Sequence, residues 1–343
     1  MRLLLGLFTL VAAGALAGCA DPGTVSTTLR GETMGTTWSV KLVVPPGADG
    51  DRLAHGIQAQ LDRVVAQMST YEPDSDLVRF NRAAPGTWQT LPAEFFTVLE
   101  YALDVAAQTA GAYDPTVGPL VDLWGFGPGP KRHEIPSAAA IEAARARVGW
   151  QRIRLDAANR RAFQPGGVAV DLSSVAKGFG VDQVARHLDR AGVENYLVEV
   201  GGELRARGRR ADGGAWQVAI EKPGASAGTV ERMDEVERVI DLEDLAIATS
   251  GDYRHSFTDA GRTFSHHIDP RSGWPVEHRI ASVTTLAADA MHADSTGTAI
   301  LVLGEEAGMR YAVEHDLAVL LILHDGDGFT ERMSPAFRAR IAP

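Results

Sequence analysis

An aspartate and a lysine six residues apart, Asp171 and Lys177, bracket the segment Asp171-Leu172-Ser173-Ser174-Val175-Ala176-Lys177-Gly178. Residues 167–172 read as a short buried strand. Val181, Val184, Ala185 and Leu188 then recur at helical spacing until Gly192 supplies a stop. A strand that feeds a helix start through small residues suits a phosphorylated ligand. The backbone can approach closely, the first helical amides face an anion, and Lys177 can place a point charge on it. An ordinary strand-to-helix corner with a surface lysine fits the same residues, so the rest of the chain has to decide.

Several later segments are polar, glycine-rich and flanked by strand-like runs. Glu199-Val200-Gly201-Gly202-Glu203 follows the apolar Tyr196-Leu197-Val198, where paired glycines allow a tight turn or a close backbone approach. Further on come Ala248-Thr249-Ser250-Gly251-Asp252-Tyr253, then Ser265-His266-His267-Ile268-Asp269-Pro270-Arg271-Ser272-Gly273, then Ala293-Asp294-Ser295-Thr296-Gly297-Thr298. Each alone fits a loop. Asp294 and Thr298, four apart at the start of an expected helix, share one face, although Asp294 also suits a helix N-cap.

Elements to position these residues can be read from periodicity. Helices are expected at 53–68, 93–110, 138–148 and 175–191. Strands are expected at 38–44, 153–156, 196–200, 204–207, 216–221, 239–242, 280–286 and 317–323. Strands and helices mix without regular alternation, which favours an α+β fold. The stretch from Pro128-Gly129-Pro130 to Pro136 reads as a surface excursion.

The amino terminus reads as an address. Met1-Arg2 is followed by an apolar run over residues 3–16, too short to be a membrane span, and Leu16-Ala17-Gly18-Cys19 reads as a bacterial lipobox. Residues 1–18 are therefore expected as a lipoprotein signal peptide, Cys19 as the lipidated first residue, 19–28 as a polar tether and 29–343 as the functional domain. Cys19 is the only cysteine, which excludes an intramolecular disulfide framework. A formal net charge of -11 gives no counterion-release drive toward nucleic acid.

Taken together, the segments resemble the ApbE-type FAD:protein FMN transferases. The resemblance runs through Glu32-Thr33-Met34-Gly35-Thr36-Thr37, Ser69-Thr70-Tyr71, Gly111-Ala112-Tyr113-Asp114-Pro115-Thr116-Val117-Gly118-Pro119-Leu120, the Asp171 turn, Val200-Gly201-Gly202, Thr249-Ser250-Gly251, the Ser265 segment and the Ala293 segment, in family order. It implies a T-fold-like antiparallel sheet core with helices and a second lobe, and a flavin cleft between them. It also implies that FAD is the substrate, that Mg²⁺ is required, and that the FMN half passes to a threonine or serine hydroxyl of another protein while AMP leaves.

The resemblance implies a metal at Asp294, Thr298 and the Ser174 carbonyl, oxygen ligands of the kind Mg²⁺ prefers. It implies flavin contacts at Met34 and Tyr71, whose side chains suit ring packing, and at Ala112, Tyr113 and Asp114. Tyr113 stands where the family often has phenylalanine. Asp171 and Lys177 would bind ribose and phosphates. His266 is the candidate general base, with Asp269 its rival. His267 stands where the family commonly has an aliphatic residue and is assigned to flavin or solvent. The acceptors implied are subunits of membrane redox complexes, which places the enzyme on the periplasmic side of a bacterial membrane, the inner one favoured. A Mg²⁺-dependent FAD pyrophosphatase and a non-catalytic flavin-binding lipoprotein remain the alternatives.

Two other signals have plainer uses. Asp325-Gly326-Asp327-Gly328 reads as a hairpin turn rather than a calcium loop, because the later ligands are missing. Arg207 to Arg210 read as a solvated turn.

Overall fold

The computed structural model describes residues 24–223, 236–252, 255–326 and 328–341; the leader, Cys19 and Tyr253 lie outside the described residues. The α+β expectation is met. Eight strands form one sheet whose spatial order follows the chain: β1 (Val25–Thr33), β2 (Thr36–Val44), β3 (Asn195–Val200), β4 (Glu203–Arg207), β5 (Ala246–Gly251), β6 (Ile280–Ala287), β7 (Ala318–Asp325) and β8 (Gly328–Met333). All neighbours pair antiparallel.

Side chains alternate between the two faces with the strand period of two. Trp38, Val40 and Leu42 of β2 and Tyr196, Val198 and Val200 of β3 share a core with Ile57 and Leu61 of α1 (Gly50–Met68). Val43 and Leu197, of opposite parity, pack with the hairpin Trp216–Glu221/Val236–Leu242 and with Phe337 of the C-terminal helix. Both faces of the sheet are therefore covered.

The second lobe is inserted between β2 and β3. Its core joins Phe95, Val98 and Leu99 of α2 (Ala93–Gln108) to Leu77, Phe80 and Tyr113. Val170, Leu172, Val175 and Phe179 enter the same cluster. The Asp171 turn is thus fixed in the second lobe, while the helix it opens, α3 (Ala176–Arg190), lays Val181, Val184 and Leu188 on the sheet. Beside α3 lies α4 (Ala290–Leu303), which follows β6.

Three expectations are corrected. Residues 167–172 are not a strand: only Ala169 makes an isolated bridge, to Val117, and the Asn81 side chain occupies both the N–H and the C=O of Val170 at 2.8 Å. Of the expected tether, Val25–Thr28 already belong to β1, paired against the apolar β2. Residues 246–251, read as loop around Thr249-Ser250-Gly251, form the central strand β5, where Thr249 and Thr284 hydroxyls meet across strands at 2.9 Å. The remaining expected elements stand within a few residues of their observed bounds. Asp325 and Gly328 pair across the predicted hairpin, and Arg207, Arg209 and Arg210 are ion-paired to Asp189, Glu243 and Asp212.

Candidate active site

Three turns meet at one end of the sheet. Met34 (φ 50°) and Gly35 (φ 70°) join β1 to β2, and Gly201 (φ 60°) and Gly202 (φ 106°) join β3 to β4. Positive φ at both central residues is the two-residue hairpin geometry that matches strand twist. A side chain on Gly201 would meet Thr36 Cγ2 at 2.8 Å and Lys177 Cδ at 3.5 Å, which brings the β1–β2 tip, the β3–β4 tip and the start of α3 together. The Met34 side chain reaches α3, where a Cβ on Gly180 would lie 3.2 Å from its Cε.

The third turn carries the charged corner. A Cβ on Gly178 would meet the Ala290 carbonyl oxygen at 2.2 Å and Asp294 Cβ at 2.9 Å, so only glycine lets α3 and α4 come this close. The Gly178 amide then donates to Asp294 Oδ2 at 3.0 Å. Among the described residues no backbone amide donates to the Ser174 carbonyl, since Val175 and Ala176 both turn back to Leu172. Lys177 Nζ lies 2.7 Å from Glu203 Oε1. Asp294 is 5 % exposed. Burial pushes its carboxyl above the usual carboxylate range, with the Lys177 charge and the Gly178 amide acting against the shift. Asp294 is not the helix cap, because Asp289 holds that position by accepting from the His292 amide. Thr298 follows one turn later, half-buried. Ser174 Oγ donates to the Tyr113 hydroxyl at 3.1 Å, and burial raises that phenol far above its ordinary value.

Asp171 links this corner to the rest of the site. Its carboxylate accepts the Ser173 amide at 2.8 Å. Burial raises the Tyr113 and Tyr71 hydroxyls, and the Asp171 charge adds to each shift. Tyr71, 60 % exposed, donates to the Phe126 carbonyl at 3.3 Å. The Phe126 ring in turn stands 6.3 Å from that of His266.

His266 sits on a loop between β5 and β6. Its Nδ1 lies 3.0 Å from the His255 carbonyl. A carbonyl only accepts, so Nδ1 carries the proton and Nε2 is the basic nitrogen of the neutral ring. Asp269 has both carboxylate oxygens engaged by the Arg271 guanidinium at 2.9 and 2.8 Å and also accepts the Arg271 amide. Arg145 donates to the Arg271 carbonyl at 3.0 Å, and Trp124 Nε1 to that of Gly273 at 2.9 Å. Asp269 thus orders the loop that presents His266.

Two of the expected flavin-contact segments are buried. His267, expected at flavin or solvent, is 8 % exposed; its ring packs 4.0 Å from that of His266, and burial holds its pKa well below the usual imidazole value. The segment Ala112 to Asp114 is buried, and Asp114 spends its carboxylate on the Thr116 amide and hydroxyl and the Trp150 amide. Asp114 thereby ties the segment that carries Tyr113 to Thr116 and Trp150. Glu203, the partner of Lys177, had no role in the sequence reading; its place directly after the paired glycines was the available signal. Two cavities, of about 410 Å³ beside Gly111, Asp114 and Arg271 and about 590 Å³ beside Arg52 and Arg190, are lined by neither Lys177 nor His266.

Comparisons with known proteins agree with this architecture. The model of the ApbE family matches residues 34–321. The FAD:protein FMN transferase of Haemophilus influenzae is 42 % identical over 343 residues, covering 98 % of this chain and 97 % of that protein. The solved flavin transferase ApbE from Vibrio cholerae superposes with a TM-score of 0.84 at 40 % identity, covering 92 % of this chain and 99 % of that one. The apo flavinyl transferase ApbE of Pseudomonas stutzeri gives 0.85 at 36 %, covering 93 % and 98 %.

Proposed function

Because the chain belongs to the ApbE family, we propose that it is a FAD:protein FMN transferase that moves the FMN half of FAD to a threonine or serine hydroxyl of an acceptor protein and releases AMP. The observation that supports this reading is the corner directly after the Asp171–Ser174 turn, where the Gly178 amide meets Asp294 and Lys177 meets Glu203, with His266 set beside the Phe126 that Tyr71 bonds.

The residues present fit a divalent cation. One buried carboxylate, one hydroxyl and one carbonyl without a backbone partner are hard oxygen donors, and Mg²⁺ takes few protein ligands when phosphate completes its shell. Asp294, Thr298 and the Ser174 carbonyl would hold it. When bound it would offset charge on the phosphoryl oxygens. Lys177 stands ready to balance pyrophosphate charge, and Met34 and Tyr71 offer apolar and aromatic surface to the flavin. His266 Nε2 takes the proton from the acceptor hydroxyl. That oxygen forms its bond to the FMN-side phosphorus as the bond to the bridging oxygen breaks, and AMP departs with the electron pair.

The lipobox supports a periplasmic enzyme anchored through Cys19, and a membrane-bound redox subunit is the fitting acceptor, since two anchored partners share one surface. Incubation with FAD, Mg²⁺ and a candidate acceptor tests the function. Covalent flavin on the acceptor is the expected result; free FMN with AMP would make the protein a pyrophosphatase, and unchanged FAD a carrier.

A further inference from the structure

The flavin turns and the first described residues occupy opposite ends of the same elements. β1 has nine residues, from Val25 to Thr33, and Met34 follows at its far end. At about 3.3 Å per residue the strand is about 30 Å long. α3 repeats the arrangement: Lys177 lies in its first turn and Arg190 closes its last, fifteen residues or about 22 Å along. Register confirms that these are two ends of the sheet, since Val25 pairs with Val44 and Val43 with Asn195, whereas Thr33 pairs with Thr36 and Val200 with Glu203.

The end away from the flavin turns has a defined surface. Val43, Val44, Leu53 and Val193 wall a cavity of about 590 Å³ whose rim carries Arg52 and Arg190. Both arginines are exposed, and among the described residues neither guanidinium makes an ion pair. Asp49, on the same rim, spends a carboxylate oxygen on the Arg52 amide at 2.9 Å. His187 is held below the usual imidazole value by burial and by Arg190, so it adds no charge near neutral pH. Five residues lie between Cys19 and Val25, so the two are at most about 20 Å apart when the chain is fully extended.

We propose that this end, with Arg52 and Arg190 against phospholipid head groups, is the membrane-facing surface of the anchored protein, and that the flavin turns point away from the bilayer. The proposal rests on lipid attachment at Cys19. It deepens the transferase reading by naming the kind of acceptor: a domain that presents its hydroxyl tens of ångströms above the bilayer rather than a segment lying on it. A short tether alone permits the β1–β2 hairpin to lie flat. Attraction of Arg52 and Arg190 to an anionic surface at one end favours the upright arrangement.

The lipidated mature chain can be placed in vesicles of phosphatidylcholine with and without phosphatidylglycerol, carrying a quencher on the lipid head groups. Because lipid occupies the single native cysteine, a fluorophore reports one site when attached through Ala191→Cys, beside Arg190, or Glu72→Cys, beside Tyr71. The expected result is that protein floats with the vesicles, that the label at 191 is quenched several-fold more than the label at 72, and that Arg52→Glu with Arg190→Glu shrinks this contrast in the anionic vesicles. Floating protein with equal quenching, or stronger quenching at 72, overturns the orientation and leaves the anchor standing. Protein that does not float overturns both. FMN transfer to a soluble acceptor is unaffected by Ala191→Cys, Arg52→Glu or Arg190→Glu, which separates this test from that of the activity.

Discussion

The Lys177–Asp294 corner and the His266 loop, which share one reaction in the proposed function, are built by opposite means. The corner stands on two helices pressed together at Gly178, where even a methyl group would collide with the Ala290 carbonyl. Among the described residues the loop has short pairings, Ser256–Asp259 with Arg262–Ser265 and Ile268–Asp269 with Trp274–Pro275, and backbone bonds from His266 to the His255 carbonyl and from Val276 to that of His267; side chains add Arg271 on Asp269, Arg145 on the Arg271 carbonyl and Trp124 on Gly273. Charge on phosphate has to be met at fixed distances, so that end is set by backbone packing. The proposed proton acceptor would have to meet a hydroxyl arriving on another protein, and His266 sits on a loop held by short pairings and a few side-chain bonds.

Substitutions should divide along that line. Asp294→Ala removes the one carboxylate of the proposed cation ligands and should lower transfer by about a thousandfold or more, with calorimetry showing the loss of Mg²⁺ binding; near-normal Mg²⁺ response would return Asp294 to a structural role. Gly178→Ala should force α3 and α4 apart, reducing transfer by roughly a hundredfold, as misplacement does, and lowering the melting temperature as well. Arg271→Ala frees Asp269 and should cost about tenfold in kcat with KM for FAD unchanged; a raised KM instead would place the loop in FAD binding.

The smallest effect expected is on stability against pH. The Asp294 carboxyl is raised in the folded protein by burial. Its contribution is therefore fully present below the ordinary carboxylate value and is lost as pH rises through the raised one. Without added cation, Asp294→Asn should melt higher than the parent at neutral pH, and the difference should close on acidification; saturating Mg²⁺ should reverse the neutral-pH order. A difference independent of pH would show that ionisation of Asp294 is not the cause.

Much of this was legible because it is local. Val181, Val184 and Leu188 announce α3 by spacing, and residues 175–191 became Ala176–Arg190. The small residues from Ser173 to Gly178 announced close backbone approach, which Gly178 shows. What was hidden depends on distant partners. Residues 167–172 look like a strand, yet Val170 finds its hydrogen bonds on Asn81, 89 positions away. Thr249-Ser250-Gly251 look like a loop, yet they pair with β6 as the end of a central strand whose Ala246 and Ile247 also pair with β4. Two adjacent histidines are equivalent on paper; packing alone turns His267 inward and leaves His266 partly exposed.

The central claim is that binding belongs to the corner and proton removal to His266. Its most direct test is His266→Ala, measured for FAD and Mg²⁺ binding and for single-turnover FMN transfer on the same preparation. The account predicts binding close to that of the parent and transfer lower by roughly a hundredfold or more. Normal transfer by His266→Ala, beside an Asp269→Ala protein that binds FAD and transfers nothing, would contradict it and pass the proton to Asp269.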